Sequence, residues 1–137
     1  MIEINNLTVQ SVKEDLLKKV AEKILKGESA SWRKEKKDLS IALVGQERIR
    51  ELNKKYRGEN RVTDVLSFSY DNLGEIVICL SEVKKNAKRL KSTFQKELIR
   101  VLIHGILHLL GEDHEKSRKE AELMEKKEEY YLSKVSS

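Results

Sequence analysis

The sequence predicts an α+β fold in which a four-stranded mixed sheet packs with about five helices. Three observations lead to this fold class. Apolar residues recur with a helical period in some segments and a strand period in others, no repeat or linker divides the chain, and one predicted helix is apolar almost all round. The chain has 137 residues, the usual size of one domain, so we expect a single domain over residues 1–137.

Four segments have the character of β-strands. Residues 2–9 form the predicted first strand and residues 39–44 the second. In the third, residues 65–70, apolar side chains alternate with serines, which is typical of a half-buried strand. Residues 71–74 form a turn, and the fourth strand, 75–80, is nearly all apolar, as expected for a strand covered on both faces.

Five segments have the helical period, and typical start and stop residues mark their ends. The predicted helices cover residues 11–26, 46–56, 81–91, 93–110 and 116–132. Three of them begin with capping-box pairs: Ser11 with Glu14, Ser92 with Gln95, and Ser117 with Glu120. Gly27 and Gly111 stand where the first and fourth helices are expected to end. The helix over 93–110 is apolar almost all round, which predicts a central, buried position.

All three histidines of the chain lie within eleven residues, beginning on this central helix. His104 and His108 are four residues apart, so their imidazoles lie about 40° apart around the helix axis and about 6 Å along it. Two rings in this position can converge on one ion. Gly111 lets the chain leave the helix in a left-handed conformation, so that His114 can fold back as a third ligand.

Three imidazoles suit one Zn²⁺ ion per chain, or another divalent transition metal. A site with three protein ligands leaves a position for water, which is the pattern of catalytic rather than structural zinc sites. The alternative is three ordinary histidines that hydrogen-bond carbonyl groups. Burying several unpaired imidazoles would be costly, so the grouping of all three favours the metal site.

The residue after the first histidine argues against a peptidase. Zincin peptidases have a glutamate there as general base, and this chain has Gly105. A base must come from elsewhere, or none is needed. Glu112 and Asp113 are near in sequence, and they either act directly, cap the turn, or orient a metal ligand.

A polar segment precedes the third strand. Arg57 there either clamps a phosphate with its planar guanidinium or is an ordinary solvated cation at a helix end, and sequence physics does not decide between them. Thr63 and Asp64 are expected to close a turn. Ser67 either lines a cleft or faces solvent.

Basic residues are grouped in the predicted helix over 81–91. They are Lys84, Lys85, Lys88, Arg89 and Lys91. They either follow a nucleic-acid backbone or form a solvated helix face, and the formal net charge of +5 is compatible with both. Trp32 either stacks on a base or packs in the protein.

The compartment is predicted from what the sequence lacks. The one cysteine, Cys79, stands in an apolar run and is expected to be a core residue, so no internal disulfide framework forms. No apolar run approaches the roughly 20 residues that span a bilayer, and no signal-peptide pattern stands at the N-terminus. We therefore expect a cytoplasmic protein without membrane association.

Several of these residues together resemble the motifs of one known family. The segment HGILHLLGEDH at residues 104–114 resembles the metal motif of the YbeY endoribonucleases, the bacterial rRNA maturation factors. Tyr-Arg at 56–57, followed by TDVLSF at 63–68, resembles the second family motif with the same spacing, and LGEIVI at 73–78 resembles a third. The chain length and order of elements also fit, so the resemblance covers essentially the whole sequence.

The resemblance implies a metal-dependent, single-strand-specific endoribonuclease in small-subunit (16S) rRNA maturation and ribosome quality control. It implies that the partners of the chain are RNA, with single-stranded rRNA as substrate, and small-subunit ribosomal proteins. It assigns the metal to His104, His108 and His114, and a catalytic role to Arg57.

Two departures from the family pattern concern local backbone geometry. Ser69 stands where the family usually has proline, and Glu75 where it usually has aspartate. Two other functions stay open: a metallohydrolase of peptides or amides, and a non-enzymatic RNA-binding ribosome-assembly factor whose metal is structural.

Overall fold

The computed structural model describes residues 1–28, 37–111 and 117–135. Over these residues the chain forms four strands and five helices. The strands are β1 (Ile2–Asn6), β2 (Asp38–Val44), β3 (Val65–Ser69) and β4 (Leu73–Cys79). The helices are α1 (Glu14–Glu28), α2 (Gln46–Arg57), α3 (Leu80–Arg89), α4 (Phe94–Leu109) and α5 (Arg118–Val135).

The four strands form one mixed sheet in the order β1-β2-β4-β3. β1 runs parallel to β2, and β2 runs parallel to β4. β3 pairs antiparallel with β4 through a tight connection, in which the Tyr70 N–H donates to Leu73 O at 2.8 Å. The predicted four-stranded mixed sheet is therefore confirmed, and the hairpin places β3 at one edge.

Helices cover both faces of the sheet, and alternate residues of a strand point to opposite faces. In β4, Ile76 and Ile78 join the larger core cluster, which includes residues of α1, α4 and α5. Val77 and Cys79 join a smaller cluster with Ile49 of α2 on the other face. Cys79 is fully buried, which confirms the prediction of a core residue.

The helix α4 lies in the middle of the fold, as predicted. Its buried positions run from Glu97 to Leu107 and occupy most of its circumference. It begins at an N-cap that differs from the predicted Ser92, because the Thr93 hydroxyl accepts the Lys96 N–H at 3.1 Å. At its other end Gly111 has a φ of 94°, so the predicted left-handed exit from the helix is confirmed.

The first strand and the first helix are both shorter at one end than predicted. β1 ends at Asn6 rather than residue 9, because the Asn6 side chain accepts the Thr8 N–H at 3.0 Å and turns the chain. The predicted cap of α1 at Ser11 is wrong: the Leu17 N–H donates to Lys13 O, and the helix begins at Glu14.

Gly27 does not end α1, which continues to Glu28. A Cβ at Gly27 would lie 2.5 Å from Tyr131 Oη, so the glycine serves a close approach between α1 and α5. Tyr131 donates to Glu28 Oε2 at 2.5 Å, and Lys127 Nζ lies 2.8 Å from Glu28 Oε1. These three side chains, which we call the α1–α5 clamp, fix the last helix to the end of the first.

The start of α5 agrees with the predicted cap, since Ser117 Oγ accepts the Glu120 N–H at 3.0 Å. None of the helices in the described part of the chain has the length and apolar character that crossing a bilayer requires.

Candidate active site

A cleft with a volume of about 190 Å³ lies beside the C-terminal half of α4 and the segment that leads into β3. Its lining includes the side chains that the sequence singled out on two distant segments. Among the lining residues are Arg57, Asp64, Ser67, His104, Gly105 and His108. The fold therefore brings the predicted catalytic arginine and two of the predicted metal ligands to one cleft.

His104 and His108 both line this cleft, with their rings next to each other. Their ring centroids are 4.6 Å apart, and their planes are inclined by 57°. Both residues are partly buried, so the rings lie between the core and the open side of the cleft. This is the neighbouring arrangement that a spacing of four residues on a helix predicts.

The third predicted ligand, His114, lies outside the described residues, as do Glu112, Asp113 and Trp32. Within residues 1–28, 37–111 and 117–135, no group of three or more His, Cys, Asp or Glu side chains could hold a metal ion.

Glu128 of α5 contacts the site in a way that the sequence did not indicate. Its Oε1 atom lies within hydrogen-bond distance of His104 Nδ1. A carboxylate can only accept, so this contact favours a ring that donates from Nδ1, and in a neutral ring the lone pair is then on Nε2. A carboxylate behind a histidine in this way is the usual outer partner of a metal-binding imidazole.

An ion pair with a buried carboxylate lies one helical turn before His104. Arg100 donates to both carboxylate oxygens of Glu97, at 2.9 and 2.7 Å. Glu97 is only 2% exposed, so the guanidinium compensates an otherwise costly buried charge. Hydrogen bonding to Glu97 is the largest cause that raises the pKa of Arg100, and the charges of Glu128 and Asp64 raise it further.

Gly105 lies where α4 packs on the sheet. A Cβ at this position would lie 3.1 Å from a Val65 methyl carbon and 3.2 Å from an Ile76 methyl carbon. Ser67 Oγ donates to Gly105 O at 2.8 Å, which joins β3 to α4 beside the two imidazoles. Ser67 thus lies at the cleft, which is one of its two predicted positions. A side chain at position 105 would be crowded by Val65 and Ile76.

The loop before β3 lines the cleft. Thr63 and Asp64, which were expected to close a turn, are both among its lining residues. Asp64 is held from two sides, since its carbonyl accepts the Cys79 N–H at 2.8 Å and its carboxylate accepts from Asn86 Nδ2 at 3.4 Å. The second contact connects the cleft to the basic helix α3.

Comparison with known proteins assigns the family. A sequence profile described as endoribonuclease YbeY matches residues 3–136. The chain belongs to this family. The endoribonuclease YbeY of Thermodesulfovibrio yellowstonii is 50% identical over an alignment of 105 residues. The alignment covers 71% of this chain and 66% of that protein. The endoribonuclease YbeY of Persephonella marina is 40% identical over 124 residues, 84% of this chain and 78% of that protein.

A solved structure supports the same conclusion for the fold. The solution structure of TM1509 from Thermotoga maritima has a TM-score of 0.68 and 38% sequence identity. The similarity covers 98% of this chain and 89% of the other. The family resemblance and the α+β fold class are therefore confirmed, and the family supports an endoribonuclease, hence a hydrolase, with a role in rRNA processing.

Proposed function

We propose that the chain is a metal-dependent, single-strand-specific endoribonuclease that hydrolyses phosphodiester bonds in small-subunit (16S) rRNA maturation and ribosome quality control. The observation that carries the proposal is the single cleft lined by His104, His108 and Arg57. Family membership supports the RNA substrate. The proposal places the activity in the cytoplasm, where small-subunit ribosomal proteins would be its neighbours.

The donor set fits a divalent transition metal. His104 and His108 offer neighbouring imidazoles, and the contact from Glu128 favours the tautomer of His104 that can coordinate through Nε2. His114 is the proposed third ligand, and Zn²⁺ is the ion that three imidazoles suit well. When bound, such an ion supplies a Lewis acid that makes water more acidic and polarises a phosphoryl oxygen.

Arg57 is the proposed catalytic residue. It stands at the C-terminal end of α2 on the cleft lining, where its guanidinium can meet a phosphate from the open side. The planar guanidinium forms two parallel hydrogen bonds to a phosphate, and its charge stabilises negative charge that develops on the phosphoryl oxygens. In this role Arg57 binds the scissile phosphate while water or a ribose 2′-hydroxyl attacks phosphorus, the bond from phosphorus to the departing ribose oxygen breaks, and that oxygen leaves with a proton.

The basic face of α3 is the proposed RNA-holding surface. Asn86 reaches Asp64 at the cleft, and Arg89 Nη2 lies 3.4 Å from Asn86 Oδ1, so this cation adjoins the cleft. Lys85 is exposed one helical turn before Arg89, and these two cations would contact the RNA backbone beside the bound phosphate. The cleft is small, about 190 Å³, and the proposal takes single-stranded RNA as substrate because unstacked nucleotides can enter such a site.

The contacts of Gly105 favour RNA over a peptide substrate. A glutamate base after the first histidine is the central feature of zincin peptidases, and here Val65 and Ile76 fill that space. A panel of peptide and RNA substrates separates these functions. Strong RNA binding without turnover in the zinc-loaded protein would instead favour a non-enzymatic assembly factor.

Two variants and a control test the proposal. Arg57→Ala is expected to retain the metal and lose cleavage of single-stranded RNA by at least about 100-fold, the scale of one lost electrostatic contact in a transition state. His108→Ala is expected to lose both the metal and cleavage. Arg50→Ala removes an exposed arginine from the same helix, away from the cleft lining, and is expected to cleave as the unmodified protein does. Full activity in Arg57→Ala would remove that residue from the mechanism.

A further inference from the structure

The C-terminal helix α5 contributes a carboxylate to the site from a distant part of the sequence. Glu128 lies 24 positions beyond His104 in the sequence, and its side chain is 15% exposed. The contact between Glu128 Oε1 and His104 Nδ1 joins α5 to the face of α4 that lines the cleft. A contact between partly buried groups is screened by water much less than a surface ion pair.

The chemical effect of this contact is on the position of one proton. A neutral imidazole carries its proton on either Nδ1 or Nε2, and the partner of one nitrogen decides which of them keeps the lone pair. The Glu128 carboxylate accepts a hydrogen bond and cannot donate one, so it favours the proton on Nδ1. The Nε2 lone pair of His104 is then available for coordination, and the ring is held against rotation.

Two sets of contacts keep Glu128 in position. Lys127 and Tyr131, which precede and follow it on α5, belong to the α1–α5 clamp with Glu28. Arg100 interacts electrostatically with Glu128 and is itself anchored by its paired hydrogen bonds to Glu97. The carboxylate is thus fixed by the packing of a whole helix and by a neighbouring cation.

We propose that Glu128 is a positioning residue of the metal site, which sets the tautomer and orientation of His104 so that Nε2 points to the ion. This inference rests on the proposed function, because it assumes that His104 is a ligand. Loss of such a partner lowers metal affinity by about 10–100-fold in comparable sites.

Three variants of the full chain separate positioning from general stability. Glu128→Ala removes the acceptor, whereas Glu128→Gln keeps a carbonyl oxygen that can accept from Nδ1 without the charge. Glu129→Ala is the matched control, because it removes the same charge from the next, exposed position of α5. The tautomer of His104 is read from ¹H–¹⁵N correlation spectra of the metal-free protein, at a pH where the ring is neutral. Zn²⁺ affinity is read by competition with a chelator.

The unmodified protein and Glu129→Ala are expected to carry the His104 proton on Nδ1 and to bind Zn²⁺ equally. Glu128→Ala is expected to shift the proton towards Nε2 and to weaken Zn²⁺ binding about 10–100-fold, while Glu128→Gln retains the Nδ1–H tautomer. A proton on Nε2 in the unmodified protein would overturn the inference. Equal Zn²⁺ affinities of Glu128→Ala and Glu129→Ala would overturn it as well.

These readouts distinguish this inference from the proposed function. The tautomer and the Zn²⁺ affinity are measured without RNA, so an absence of RNA cleavage in the unmodified protein would contradict the proposed function and leave both readouts intact. Normal cleavage together with an unaltered tautomer in Glu128→Ala would contradict only the role of Glu128.

Discussion

Two side-chain pairs involve α4, and they differ in how the fold builds them. Glu97 and Arg100 are three residues apart in one helix, and the carboxylate is almost fully buried. His104 and Glu128 come from two helices and meet at the cleft, where the histidine side chain is 32% exposed. The first pair depends on the sequence of one turn, and the second depends on how α5 docks.

Neighbouring turns of one helix therefore serve different purposes, one for stability and one for chemistry. The Glu97–Arg100 pair compensates a carboxylate in the core, whereas the His104–Glu128 pair, which lies at the cleft, prepares a ring for a ligand. Changes to the first pair should therefore alter mainly the free energy of unfolding. Changes to the second should alter mainly metal affinity.

The largest expected loss of stability comes from Arg100→Ala. It leaves the Glu97 carboxylate buried without its partner, which costs 3–5 kcal/mol in fully buried pairs. Because the Arg100 side chain is 41% exposed, we expect a smaller loss of about 2–3 kcal/mol. Urea unfolding measures it, with Lys96→Ala as an exposed control on the same helix. Equal urea midpoints for Arg100→Ala and Lys96→Ala would show that the Glu97–Arg100 pair has no special effect on stability. The proposed difference between this pair and the His104–Glu128 pair would then be wrong.

The next expected effect concerns the α1–α5 clamp. Tyr131→Phe removes one hydrogen bond to the Glu28 carboxylate, and we expect the free energy of unfolding to fall by about 1–2 kcal/mol. Tyr130→Phe removes a hydroxyl from the adjacent, exposed tyrosine and is expected to have no measurable effect. A loss of stability in Tyr130→Phe as large as in Tyr131→Phe would contradict the assigned role of the clamp.

A smaller effect is expected from Gly105→Ala. The added methyl group meets Val65 and Ile76 at just over 3 Å, which costs about 1–3 kcal/mol through crowding. Better helix propensity offsets up to about 1 kcal/mol of this cost. We expect a net loss of about 1 kcal/mol together with weaker Zn²⁺ binding, because α4 must move away from the sheet. An unchanged melting temperature and an unchanged Zn²⁺ affinity in chelator competition would show that the added methyl group fits between α4 and the sheet.

The smallest expected effect is the pH dependence of the clamp. Burial acts to raise the pKa of Glu28, but hydrogen bonds from Lys127 and Tyr131 outweigh it and lower the pKa. A lowered folded-state pKa stabilises the protein above the unfolded pKa of about 4.3, and this contribution is lost as pH falls through the folded value.

Unfolding in urea over a series of pH values checks this with Glu28→Gln. The difference in unfolding free energy between the unmodified protein and Glu28→Gln should be constant from neutral pH down to about pH 5 and shrink below about 4.3. A difference that stays constant well below that range would show that the carboxylate charge does not stabilise the clamp.

Local patterns predicted much of the fold. The apolar circumference of the predicted helix 93–110 indicated a central position, and alternation in 65–70 indicated a half-buried strand. Both follow from burial acting on the period of the backbone. The wrong assignments at Gly27 and Ser92 have different causes. Thr93, next to Ser92, has an equivalent hydroxyl and forms the cap, whereas Gly27 serves the close approach of Tyr131, a tertiary contact that no local pattern indicates.

The candidate site was predictable only where its residues are close in sequence. The spacing of His104 and His108 follows from helix geometry, and the family motif indicated Arg57. Glu128 carried no such signal, since it is one of several glutamates in a highly charged helix. Its contact with His104 depends on the docking of α5, which no local pattern encodes.

The most direct test of the central claim is to measure bound metal and RNA cleavage on one sample. Metal content and cleavage of a single-stranded rRNA fragment are determined before chelation, after chelation, and after Zn²⁺ is restored. We expect one divalent ion per chain, loss of cleavage with its removal, and recovery with its return. Undiminished cleavage by protein shown to be free of metal would contradict the account.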